Sequence, residues 1–407
     1  MSDPIKQEGV NGQTVILGLQ HTFVMFGATV LVPIITGLDA GVALFAAGLG
    51  TLLFHVVTKF KVPVFLGSSF AFIPPIMAVA GNYGGDLAYA TGGILVAGIV
   101  YAVVSVIFTF VDYDILHRIL PPHVTGPIII LIGMSLAPVA IDGASSNWTV
   151  AIITFSVGVF VKVGFERLGF KFLSLLPVLF ALVIGYLISL VVGLVDFSTV
   201  TAANWVGLPN FMFPKFAGGA MALVVPIALV TMVEHFGDVI AIGNVVKKDF
   251  LKDPGVNRTL LGDGLATSLS ALIGGPANTT YSENTGAVAL TGVYNPAVMR
   301  IAAVFAIVLS VIPKFTALIG TIPGAVIGGI SILLFGMISA IGIRNMVEAQ
   351  VDMNEPQPLI IAAAMLVLGL GGAEFSLGQV TFSGLALSAV VGIVLTLLIN
   401  FKSFKKA

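Results

Sequence analysis

Glu234 and Asp238 stand in the run Val233-Glu234-His235-Phe236-Gly237-Asp238, and Glu283 stands in Thr279-Thr280-Tyr281-Ser282-Glu283-Asn284. The neighbouring residues, Val224–Met232 before the first cluster and Ala287–Leu290 after the second, read as membrane-buried. An ionisable group at mid-bilayer costs at least roughly 2.5–3.5 kcal/mol, so such residues face a cavity and do chemistry there. Glu234 and Asp238 are spaced to share one face of a helix. Two carboxylates that close in a low dielectric do not both ionise readily. A carboxyl group that changes protonation near neutral pH is what a proton-coupled carrier needs. Glu283 comes from a separate segment, beside a half-helix starting near Asn284 whose N-terminal amides can stabilise an anion.

The elements that position these groups are membrane spans. With 57% hydrophobic and 9% charged residues, the chain is not an ordinary soluble domain. Apolar runs of about 17–25 residues recur from Thr14 to Phe401, each long enough to cross a bilayer and too long for barrel strands. The first run follows a short polar start, Met1–Gln13, without a small-residue cleavage site, and reads as a retained helix. The segmentation predicts 14 spans, at 14–35, 39–58, 63–80, 88–111, 124–141, 148–165, 171–195, 218–244, 258–274, 276–292, 295–313, 316–339, 356–373 and 384–402. With both termini cytoplasmic, 16 of the 18 lysines and arginines fall inside and only Lys215 and Lys314 outside, as basic loops require. The longest polar stretches are Asp196–Lys215 and Arg344–Pro358.

Two of these spans are broken. The third holds Val64-Phe65-Leu66-Gly67-Ser68-Ser69-Phe70-Ala71-Phe72 followed by Pro74-Pro75, and the tenth holds Gly274-Gly275-Pro276-Ala277-Asn278-Thr279-Thr280-Tyr281-Ser282-Glu283. Extended backbone at this depth is tolerated only where it is buried in protein or lines a polar cavity. Gln20-His21 with Phe26-Gly27 echoes Glu234-His235 with Phe236-Gly237, and His21 precedes Phe70 by 49 residues where His235 precedes Tyr281 by 46. Matching features at matching offsets suggest a repeat of seven spans, and an odd number inverts the second copy. Paired interrupted spans point to a transporter's midplane site. Carboxylate acceptors, main-chain N–H donors and the aromatic faces of Phe70, Phe72 and Tyr281 suit a small, flat, neutral solute such as a nucleobase.

Other residues carry plainer readings. Asp263 reads as a cap or loop anchor near the cytoplasmic end of its span, and Gly324, Gly328 and Gly329 as helix-packing sites. His21 and His235 are compatible with satisfied core histidines. Asp112, Asp114, His117 and His123 fall in a loop and need no function. No cysteine is present, which removes disulfides, thiolate metal sites and cysteine nucleophiles. The histidines lack metal-ligand spacing, and Gly324-Ala325-Val326-Ile327-Gly328 lacks the context of a nucleotide loop. No enzyme, cofactor or metal is expected, and the Lys402–Lys406 tail is orientation charge rather than a nucleic-acid surface.

Glu283-Asn284-Thr285-Gly286-Ala287-Val288-Ala289-Leu290-Thr291-Gly292 resembles the signature of the nucleobase–ascorbate transporter family, also called nucleobase–cation symporters. Leu19-Gln20-His21, Phe26-Gly27-Ala28-Thr29-Val30-Leu31-Val32-Pro33, Leu66-Gly67-Ser68-Ser69-Phe70-Ala71-Phe72-Ile73 and Asn244-Val245-Val246-Lys247-Lys248-Asp249 are similar to its bacterial uracil permease branch. The resemblance implies an all-α polytopic fold of 14 segments in two inverted repeats, with short antiparallel strands in segments three and ten. It implies a core domain at 14–111 and 218–313, a gate domain at 124–195 and 316–402, and a homodimer joined through the gate. Glu234 and Glu283 would hold the base with the backbone amides of Phe70 and Ser282, while Ala28, Tyr281 and Phe335 would form apolar walls. His21 and Asp238 would complete the proton-coupling network behind Glu234. The implied activity is proton-coupled uracil import across the bacterial inner (plasma) membrane. Xanthine or urate symport is the alternative, and an anion carrier a more distant one. Three positions depart from the uracil pattern: Ser282 replaces Gly, Asp238 replaces His and Phe335 replaces Tyr. The first two are purine-like, whereas Glu283 stands where the purine branch has Gln and favours uracil.

Overall fold

The computed structural model describes residues 11–110, 118–378 and 380–400. Asp112, Asp114, His117 and the Lys402–Lys406 tail lie outside the described residues. In chain order the helices are α1 (Gly12–Thr36), α2 (Ala40–Val57), α3 (Ile73–Asn82), α4 (Ala88–Ile107), α5 (Pro122–Ser135), α6 (Ala137–Ser145), α7 (Trp148–Val159) and α8 (Pro177–Val191). They continue as α9 (Gly218–Val224), α10 (Ile227–Val246), α11 (Val256–Leu272), α12 (Ser282–Thr291), α13 (Ala297–Ser310), α14 (Pro313–Gly320), α15 (Gly324–Glu348), α16 (Pro356–Leu370) and α17 (Gly384–Ile399). Among the described residues, 7 helical stretches are long and apolar enough to cross a bilayer: α1, α2, α4, α5 with α6, α7 continued to Arg167, α9 with α10, and α15. Shorter segments occupy the remaining places that the sequence predicts: α3, α8, α11, α12, α13, α16 and α17.

Prolines explain many of the boundaries. Pro122, Pro177 and Pro356 open α5, α8 and α16, where the missing N–H would have had no intrahelical partner anyway. Pro313 interrupts the apolar run that the sequence divides into spans at 295–313 and 316–339. α14 bends away from α13 by 84°, and the long helix begins only at Gly324, after Pro323. An exposed hairpin, β3 (Phe375–Leu377) with β4 (Val380–Phe382), joins α16 to α17 and is not expected from the sequence.

The helices pack in two sets. α2 lies against α11 and α13, α4 against α11, and α1 against α13. Separately, α15 lies against α5, α6 and α7, and α16 against α17 and α5. Glycines set the closest approaches in the second set: a Cβ on Gly328 would fall 2.1 Å from the Ala144 nitrogen, and one on Gly329 2.4 Å from the Ala151 oxygen. Those backbones cannot yield as a side chain would. Gly328→Ala is therefore expected to push α15 off α6, costing about 1–3 kcal/mol. Thermal unfolding of the purified protein checks this, with Gly324→Ala as the silent control, since its nearest neighbour would be 3.6 Å away.

The polar stretch between α8 and α9 holds one short helical turn, Ser198–Ala202, and continues as an extended strap. From Asn204 to Lys215 it is fastened in turn to five elements of the first helix set. The Lys314 N–H donates to the Asn204 carbonyl (3.1 Å), Gly207 N–H to Val311 (3.2 Å) and Met212 N–H to Ile273 (3.2 Å). Asn210 donates to the Asp39 carboxylate (3.0 Å), and the Lys215 N–H to the Ala88 carbonyl (2.8 Å). The Lys215 ammonium, 2.7 Å from Asp86, holds that carboxyl below the usual carboxylate range.

Candidate functional site

The two broken segments meet. β1 (Leu66–Ser68) pairs antiparallel with β2 (Asn278–Thr280) in the register Leu66↔Thr280, Gly67↔Thr279 and Ser68↔Asn278. Ser69 N–H to Ala277 (2.8 Å) and Tyr281 N–H to Phe65 (3.0 Å) extend the ladder by one rung at each end. Each strand is followed by a helix, α3 after a short turn at Phe70–Phe72, and α12 directly from Ser282. Both strands are held from outside by a hydroxyl of the preceding helix. Thr51 of α2 accepts from the Leu66 N–H at 2.9 Å, and Thr267 of α11 donates to the Asn278 carbonyl at 2.9 Å. These bonds satisfy backbone groups that lipid could not.

Gly67 has a specific role here. A Cβ at that position would meet the Tyr281 ring at 2.4 Å, so only glycine lets the ring lie across the strand. The Tyr281 hydroxyl then donates to the Ser68 carbonyl at 3.0 Å, and Ser68 donates to the Thr29 carbonyl of α1 at 3.0 Å. Tyr281 thus clamps the strand pair as well as presenting an aromatic surface.

Around this crossing the acidic residues take distinct positions. Asp238 accepts from Thr280 Oγ1 at 2.8 Å and from Ser282 Oγ at 2.6 Å, so it ties α10 to both β2 and the start of α12. Glu234, one turn earlier, has a buried Oε2 without a hydrogen-bond partner among the described residues. Its helix, α10, packs against α12, which carries Glu283, and against α11, which carries Asp263. Glu283, in the first turn of α12, lines a cavity of about 370 Å³ with Ala28, Ser282, Gly286, Leu334 and Met337. The same cavity reaches Lys162 and Arg344. Phe70 meets Phe335 of α15 edge-to-face at 5.8 Å, a contact that joins the two helix sets beside the strands.

His21, which the family resemblance implies for the network behind Glu234, is buried on α1 and meets Asn284 of α12. Its Nδ1 lies 3.1 Å from the Asn284 amide nitrogen, which also donates to the His21 carbonyl at 3.2 Å. This network crosses from α1 to α12, and Asn284 is legible in the sequence only as part of the family signature. Asp263 is not a helix cap. It is fully buried within α11, with Oδ2 3.2 Å from Nδ1 of the equally buried His235. The polar run Asn257-Arg258-Thr259 starts the helix and mimics a membrane boundary, whereas Asp263 sits two turns farther in.

Half-buried carboxylates, unwound backbone and a cavity within a bundle of membrane-length helices define a multi-pass membrane transporter. The chain belongs to the Permease family whose profile, Xan_ur_permease, matches residues 12–378. It is 45% identical over 404 residues to the uracil permease of Bacillus caldolyticus, covering 95% of this chain and 92% of that one. It is 39% identical over 404 residues to the uracil permease of Escherichia coli (strain K12), covering 96% and 92%. The transmembrane domain of the cyanobacterium bicarbonate transporter BicA superposes with a TM-score of 0.59 at 15% identity, over 95% of this chain and 97% of that one. The murine Solute Carrier 26 family member A9 anion transporter does so at 0.71 and 11%, over 98% and 69%. These distant likenesses bear on the fold alone.

Proposed function

We propose that this permease imports uracil together with protons. The carrying observation is that α10, with the unpartnered Oε2 of Glu234, packs against β2 and α12, whose Glu283 stands on the cavity wall, beside the crossing of β1 and β2. Carboxylates accept hydrogen bonds from the ring N–H groups of the base. Ser282 is the first residue of α12, and the first-turn amides of a helix have no intrahelical partner, so its N–H is free to donate to a uracil carbonyl. Phe70 stands in the corresponding place after β1. Ala28, Tyr281 and Phe335 supply the apolar surroundings, and Asp238 with His21 the polar groups that respond to the proton. The uracil permeases among the relatives support the choice of substrate.

The helix sets correspond to a core carrying the strands and a gate built around α15, each drawing segments from both of two inverted seven-segment repeats. The matching Thr51 and Thr267 bonds support that repeat. Transport proceeds by alternating access, the core shifting against the gate across the Phe70–Phe335 contact. The cavity's extension to Lys162 and Arg344, both on the lysine- and arginine-rich side, supports an opening toward the cytoplasm. We place both termini there, in the inner membrane of a bacterium, with two copies paired through their gates.

The purine reading rests on Ser282 and Asp238, the two purine-like departures. These residues bond to each other at 2.6 Å, so they count as one adjustment of the network behind the base rather than two independent signs of a larger substrate. Uracil is expected to raise the unfolding temperature of the purified protein and to be taken up in a protonophore-sensitive way. Stronger stabilisation by xanthine, urate or sulfate would transfer the proposal to that substrate. Uptake indifferent to the protonophore would remove the proton.

A further inference from the structure

A second cavity, of about 340 Å³, adjoins the first across Phe23 and Leu179 but receives none of the carboxylates. It lies between α1 (Phe23, Phe26), the length of α8 from Leu179 to Leu187 and the α13–α14 corner at Phe315. Its two polar side chains are already engaged. Thr22 donates to the Gly18 carbonyl, and the Tyr186 hydroxyl pairs with Thr321 at 2.7 Å. Water held in a cavity needs two to four polar partners, and none is offered here. A nucleobase would leave its N–H and C=O groups unpaired. The groove opens outward: Phe23 is 44% exposed, Val183 45% and Leu187 54%, at a depth where the surrounding medium is hydrocarbon.

We infer that this groove binds one acyl chain of a glycerophospholipid from the outer leaflet. Length and charge both fit. Leu179 to Leu187 spans roughly 12 Å of helix, close to the ~15 Å depth of one leaflet. At the outer rim stands Lys314, one of the two basic residues assigned to that side, next to Phe315 of the groove wall. Its ammonium reaches the Val200 carbonyl (3.1 Å) and lies 5.4 Å from the centre of the Trp205 ring. A cation and an aromatic ring at the interface are what a lipid phosphate and glycerol region meet favourably. Because one wall comes from α1 and α13 and the other from α8, which packs on α7 and α15 of the second set, a seated chain stabilises the spacing they have here and thereby biases the equilibrium between transport states. That consequence rests on the core–gate reading; the binding itself does not.

The test uses fluorescence quenching by brominated acyl chains. In a background with Trp148→Phe and Trp205→Phe, single tryptophans are introduced by Leu187→Trp at the groove and by Ile99→Trp on exposed α4 (49% exposed). Each protein is reconstituted in phosphatidylethanolamine–phosphatidylglycerol vesicles with brominated chains, then diluted into lipid-free detergent. The Leu187→Trp protein should keep most of its quenching and the Ile99→Trp protein lose it. Adding Leu182→Phe to narrow the groove should abolish the retained part, and Lys314→Gln should reduce it several-fold. Equal loss at both positions, or retention unchanged by Leu182→Phe, overturns the inference. No transport is measured, so a wrong substrate assignment would leave this result standing.

Discussion

Glu234→Ala is expected to abolish detectable uracil binding and uptake while leaving a folded protein. A hydrogen bond to a charged group contributes about 1.5–3 kcal/mol, which alone corresponds to roughly a 10- to 100-fold loss of affinity. The alanine also removes the carboxylate that α10 would offer to the ring N–H of the base. The fold should survive because Oε2 of Glu234 has no bond to a described residue that the truncation would break. Thermal stabilisation by uracil measures the outcome directly. A variant stabilised as strongly as the parent would remove Glu234 from the site and with it the proposed substrate geometry. Glu283→Gln makes a gentler companion, since Gln keeps one acceptor and places a donor where the other stood.

Asp263→Ala has the opposite profile: it should cost the fold first. Asp263 and His235 are wholly buried and 3.2 Å apart, between α11 and α10. Leaving a wholly buried polar group without its neighbour costs about 1–3 kcal/mol, because its desolvation is then uncompensated. Little protein should be recovered from the membrane, and what is recovered should unfold at a much lower temperature. Asp263→Asn retains a polar partner for His235 and should recover a good part of the loss. If the alanine variant is as stable as the parent, the pair is not structural, and its nearness to Glu234 would need a role in transport instead.

The difference between these two carboxylates shows what the sequence makes legible. Glu234 and Glu283 stand out because their clusters interrupt long apolar runs, and glycines, prolines and hydroxyl triplets mark the strands between them. Strand register is a different matter. Pairing of Leu66 with Thr280 depends on contacts across more than half the chain, and no local pattern encodes it. Asp263 misleads for a related reason: its neighbours Gly262 and Gly264 look like a turn, but both are buried packing positions, against Phe54 and Tyr101. His21 can be marked as a candidate from its echo of His235, yet only three-dimensional proximity assigns it to Asn284. The corner at Pro313 is visible as a residue but not as a bend, because span assignment weighs hydropathy over about 20 residues and one proline hardly changes that sum.

The segment from Asn204 to Lys215 has a mechanical consequence. A connection of that length would ordinarily provide slack between two moving bodies. Here it is sewn down along its length to the body that carries β1 and β2. The compliance left on the route out of α8 is therefore confined to a few residues around Gly193, whose φ of +74° only glycine adopts easily. The other crossing on that side, Thr321–Pro323, is equally short, and Thr321 is bonded to Tyr186 of α8. On the core–gate reading proposed above, two brief joints set side by side would let the halves pivot about a common line and give them little room to drift apart.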